Sequence, residues 1–151
     1  MLWNASNTLH TLAAVIWVGG MFFAYMALRP AMASISKEES LQLWRRALQT
    51  FLRWVLGMVV VLWATGVYQM FFVLSGFGAS IHVDTMFTTA LIMTILFFWL
   101  NHGVFRQFRL AVDSRDFDTA SKVIETVRKI VATNLILGLL TVILASWGAS
   151  G

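Results

Sequence analysis

Three histidines, His10, His82 and His102, are the side chains of this sequence best suited to chemistry. With no cysteine present, thiolate sites, thiol nucleophiles and disulfides are excluded, and imidazole, thioether and carboxylate remain as ligand types. His82-Val83-Asp84-Thr85-Met86 offers all three about one helical turn apart. His10 shares a helical face with Ala13, Ala14, Trp17, Gly20, Met21 and Ala24, small residues that leave space beside the imidazole. Each feature also has a packing explanation. Ala14, Gly19 and Gly20 suit close approach of a second membrane helix, His10 suits an interhelical hydrogen bond, and Asp84 suits a helix N-terminus. Most of the eight methionines and seven tryptophans read as gap-fillers and interface anchors, with only Met21 and Met86 on a face with histidine. No nucleophile, acid–base pair or nucleotide loop points to an enzyme.

The elements that position these histidines are membrane spans. At 59 % hydrophobic and 12 % charged, with a mean hydropathy of +0.77, the chain is too apolar for a soluble domain. All eleven Lys and Arg residues fall in two stretches, Arg29 to Arg53 and Arg106 to Lys129, separated and flanked by uncharged apolar runs. The expected fold is therefore an all-α, four-transmembrane-helix bundle forming a single domain, with spans at about 3–28, 54–75, 84–105 and 130–147. Basic loops stay cytoplasmic, so both termini, including the Gly151 end, are expected on the periplasmic side of a bacterial inner membrane. The basic pI then reflects topology and anionic headgroups, and nucleic acid is not expected as a partner. Ala31-Met32-Ala33 resembles a signal-peptide cleavage site, but no positive region precedes the apolar run, so a span is expected there.

Local signals mark the boundaries. Arg29-Pro30 is expected to close the first span, and Ser36-Lys37-Glu38-Glu39 reads as a capping box starting the next helix. Trp44 and Trp54 are expected at the inner interface. The uncharged connection from Leu74 to Ile81 contains Ser75, Gly76, Gly78 and Ser80. Asp116 is expected to cap the last helix, and Asn134 to hydrogen-bond between helices. At about 1.5 Å per residue, His10 lies roughly 9 Å and His82 roughly 18 Å outward of their span midpoints, with His102 roughly 12 Å inward. His10 and His102 cannot share a metal. His10 and His82 can, provided the preceding loop dips inward.

The stretch His10-Thr-Leu-Ala-Ala-Val-Ile-Trp17-Val-Gly19-Gly20, followed by Leu28-Arg29-Pro30-Ala31, resembles the opening helix of small four-span proteins of the CopD (copper resistance D) family. Leu43-Trp44-Arg45-Arg46, Ala64-Thr65-Gly66, Asp116-Phe117 and Asn134-Leu135-Ile136-Leu137-Gly138 extend the similarity over nearly the whole chain. A more distant likeness is to HemJ-type haem proteins. The resemblance implies copper handling at the inner membrane, with His10 and His82 as the matching histidines. The residue types add the Met86 thioether as a candidate metal ligand, with Trp17 and Gly20 beside the cofactor on the His10 face. The alternatives are a b-type haem, held by these histidines or by His102 with Arg29, Arg53 or Arg106 near its propionates, and a non-catalytic subunit of a membrane complex. A homodimer or larger membrane assembly is a compatible partner.

Overall fold

The computed structural model describes residues 1–74, 76, 78 and 80–148. Ser75 of the proposed outer connection and the Gly151 end lie outside the described residues. Four long helices, each long and apolar enough to cross a bilayer, make up the fold: α1 (Leu2–Ser34), α2 (Lys37–Phe72), α3 (Ile81–Asp113) and α4 (Phe117–Trp147). α1 packs chiefly on α2, and α3 on α4. No strand occurs among the described residues.

Pro30 does not end α1. The chain remains helical through Arg29, and Ala24–Leu28 winds as a π turn in which the Arg29 N–H reaches the Ala24 carbonyl. Proline lacks an N–H and its ring crowds the carbonyl four residues back, so the helix absorbs it by local rewinding. Termination comes at Ile35, which is extended, just before the capping box. There the Ser36 hydroxyl accepts from the Glu39 N–H, while the Glu39 carboxylate accepts from the Ser36 N–H.

α2 has 36 residues, about 54 Å of helix, far more than the roughly 30 Å hydrocarbon thickness. Its basic first half therefore extends beyond the membrane, as do the end of α3 and the start of α4. Ion pairs tie these extensions together: Lys37 to Asp118 at 3.1 Å, Arg45 to Asp113 at 2.6 Å and Arg115 to Glu38 at 3.0 Å. Both basic connections thus lie at one end of the bundle. α3 stops in a Schellman turn: the Asp116 N–H bonds to the Ala111 carbonyl and the Arg115 N–H to that of Val112, with Arg115 in the left-handed region at φ 59°. Asp116 then caps α4 by accepting from the Thr119 N–H at 3.2 Å.

The core runs the length of the bundle, with Val55, Phe97, Phe108 and Val127 fully buried. Trp17 meets Phe97 edge-on, with centroids 6.1 Å apart. Trp54 is exposed, as an interfacial residue should be, but Trp44 is buried with Leu41 and Leu48. Trp44 borders a small cavity together with Ile124, Val127 and Arg128 of α4, a neighbourhood that the apolar pattern of α2 alone does not reveal. Asn134 bonds α4 to α3, its amide donating to the Met93 carbonyl at 3.3 Å. Gly138, four residues on, admits Val18 of α1 so closely that a Cβ there would lie 2.8 Å from the Val18 Cγ2.

Candidate functional site

His10 projects from α1 toward α2, where its Nδ1 lies 2.8 Å from the Thr65 Oγ1. The Thr65 Oγ1 also lies 2.6 Å from the Val61 carbonyl oxygen of its own helix, within donating distance. In the tautomer that carries the imidazole proton on Nδ1, His10 donates to Thr65 and the Nε2 lone pair is left as the ring's ligand atom. Gly66 makes the approach possible, since a Cβ there would sit 3.3 Å from the His10 Cε1.

The imidazole borders a cavity of about 140 Å³ between the four helices. α1 contributes His10 and Trp17, α2 and α3 contribute the thioethers of Met70 and Met86, and Thr141 comes from α4. One wall is braced by Trp63, whose Nε1 donates to the Thr94 Oγ1 at 3.0 Å and whose ring meets Phe87 edge-on at 5.2 Å. Near the end opposite the basic connections, Gln69 donates to the Ser6 Oγ at 3.2 Å, linking α2 to α1 one turn before His10. No Lys, Arg, Asp or Glu is among the lining residues. The site is an imidazole in a largely apolar chamber, with two methionines among its lining residues.

The residues singled out from sequence separate into two groups. His10, Trp17 and Met86 border the same cavity. His82 and Gly20 do not. The His82 side chain is exposed at the start of α3, one residue before the cavity-lining Val83. Gly20 packs against Phe51, whose ring occupies the space that a Cβ would take, which is the helix-approach role. Asp84 is engaged by the preceding connection, both carboxylate oxygens accepting from the Gly78 N–H at 3.2 Å. His102 lies in a second π turn, Leu100–Val104, exposed and stacked on Phe98. It belongs to the basic end rather than to this cavity.

Sequence reasoning missed Met70, Thr65 and Gln69. Thr65 was visible only within the Ala64-Thr65-Gly66 triplet, and Met70 looked like one core methionine among eight. Their roles depend on how α2 is rotated against α1, which apolar periodicity specifies loosely in a helix that is greasy on every side. Among the described residues, no group of three or more His, Asp or Glu side chains is arranged to hold a metal, so the donors available at the cavity are imidazole and thioether. In comparisons with known proteins, the chain matches no family model, no curated protein and no solved structure.

Proposed function

We propose that this protein binds and handles copper at the bacterial inner membrane, with the His10 Nε2 and the Met86 thioether as ligands in the cavity and Met70 as a third donor. Soft thioethers combined with a neutral imidazole suit Cu(I). The donor set thus fits the metal, and the carrying observation is the Thr65 hydrogen bond, which orients His10 in the way that outer partners orient metal-binding histidines. His82, exposed one residue from the cavity wall, is assigned the surface imidazole through which copper reaches the chamber. The positive-inside rule puts this end on the periplasmic side, with both termini outward.

Size favours this reading over a b-type haem at the same histidine. Pockets for drug-sized ligands run from about 300 to 1,000 Å³, whereas this cavity is about 140 Å³, enough for an ion and a small co-ligand. Haem propionates would also find no Arg or Lys among the lining residues. Elemental analysis and an optical spectrum of the purified protein test the reading. Copper without a Soret band, lost in His10→Ala, supports it; a Soret band, or copper retained in His10→Ala, refutes it.

A further inference from the structure

The basic end of the bundle carries a second concavity, independent of the copper reading. A cleft of about 370 Å³ opens between α2 and α3, lined by Gln49 and Arg53 from one helix and by Asn101, His102, Arg106 and Arg109 from the other. Three guanidiniums and an imidazole converge here with no carboxylate in the lining. Arg53 and Arg106 are exposed and have no ion-pair partner among the described residues. The nearest acid, Asp113, lies one turn beyond Arg109 and is taken by Arg45 at 2.6 Å. Asp113 also acts coulombically on Arg109, but among the described residues no ion pair engages Arg53 or Arg106.

The depth of the cleft identifies what can. Trp54, adjacent to Arg53, is 62 % exposed, and Trp99, one turn before Gly103, is 55 % exposed. Exposed tryptophans of a membrane helix sit at the headgroup level, so Arg53 and Arg106, one residue and two turns further toward the basic end than Trp54 and Trp99, face the phosphate layer. Toward the membrane centre, the wall continues as bare apolar surface: Phe98, 41 % exposed and stacked on His102, and Ile95, 58 % exposed. A polar cleft at headgroup depth, running into an apolar strip along α3, matches a molecule with an anionic head and a hydrocarbon tail. Asn101, His102, Phe105, Arg106 and Arg109 follow one another at helical spacing, so one face of α3 lines the cleft.

We propose that this cleft binds the phosphate of an anionic phospholipid from the leaflet at the basic end, with Arg53 and Arg106 gripping the phosphate oxygens and an acyl chain lying over Phe98 and Ile95. Guanidinium is the side chain best matched to phosphate, through paired N–H donors, and basic pockets between membrane helices are established headgroup sites.

Native mass spectrometry of the purified, delipidated full chain, titrated with phosphatidylglycerol or phosphatidylcholine, tests this. Preferential retention of phosphatidylglycerol is expected, with about a fivefold loss of affinity in each of Arg53→Gln and Arg106→Gln. Arg46→Gln, an exposed basic residue outside the cleft, should leave that affinity unchanged. Far-UV circular dichroism of each variant confirms that the helices persist, and Arg53→Lys, which keeps the charge without the paired donors, should lose only part of the affinity. Equal retention of the two lipids, or an equal loss in Arg46→Gln, would overturn the proposal. Displacement of phosphatidylglycerol by equimolar inorganic phosphate would overturn the lipid assignment, because the acyl strip would then contribute nothing.

Discussion

The His10 Nδ1 and the Thr65 Oγ1 are 2.8 Å apart, and the Thr65 hydroxyl can give its proton to the Val61 carbonyl at 2.6 Å, which lets the threonine accept from the histidine. In that arrangement the ring is oriented and its Nε2 is the free nitrogen. Thr65→Val keeps the β-branched shape and removes the acceptor. We expect copper affinity to fall about 10- to 100-fold with helix content unchanged, while Thr65→Ser restores most of it. Competition titration with a Cu(I) chelator measures both.

Gly66 lets the ring lie flat against α2. In Gly66→Ala the new methyl would meet the His10 Cε1 at 3.3 Å, tighter than ordinary van der Waals contact, so the imidazole must shift by a few tenths of an ångström. The expected result is weaker copper binding in a protein that still folds. Gly57→Ala, where a Cβ meets nothing within 4 Å, is the matched control and should bind as the parent does.

Gly138 holds α4 against α1. Its replacement by alanine puts a methyl 2.8 Å from the Val18 Cγ2 and 3.3 Å from the Met93 Cε. Met93 can yield, but the stiff, β-branched Val18 cannot do so without moving the helix. Overpacking of this kind costs about 1–3 kcal/mol. A lower midpoint of thermal unfolding in detergent is expected, largely relieved in the Gly138→Ala/Val18→Ala double variant.

Acid should loosen the α3–α4 turn. The hydrogen bond from Thr119 to the Asp116 carboxylate holds that group below its ordinary value of 3.8. The cap's contribution is therefore fully present above 3.8 and is lost as pH falls through the lowered folded value. Asp116→Asn keeps a capping oxygen without a titrating group. Melting profiles across this range should fall more steeply with acid for the parent than for the variant.

The helices and their ends were legible in the residues for local reasons. The capping box at Ser36 and the cap at Asp116 are short-range hydrogen-bonding patterns, and the two basic stretches flag the connections that the ion pairs Lys37–Asp118 and Arg45–Asp113 bring to one end. Helical spacing put His10 and Trp17 on one face and Met86 one turn from His82, and of these His10, Trp17 and Met86 border the cavity. What did not read out depended on rotation and on neighbours remote in sequence. Met70 and Thr65 face the site because of how α2 turns against α1, Trp44 is buried beside residues of α4 remote in sequence, and Gly20 packs against Phe51. Pro30 misled for a different reason: a π turn lets the helix continue past a residue that normally ends one.

X-ray absorption at the copper edge of the copper-loaded protein examines the ligand set itself. The His10–Met86–Met70 cavity predicts imidazole and sulfur scattering together, with the sulfur contribution lost in Met70→Leu/Met86→Leu and the imidazole contribution diminished in His10→Ala. A spectrum showing only oxygen ligands, or one that all three substitutions leave unchanged, would contradict a copper site in this cavity.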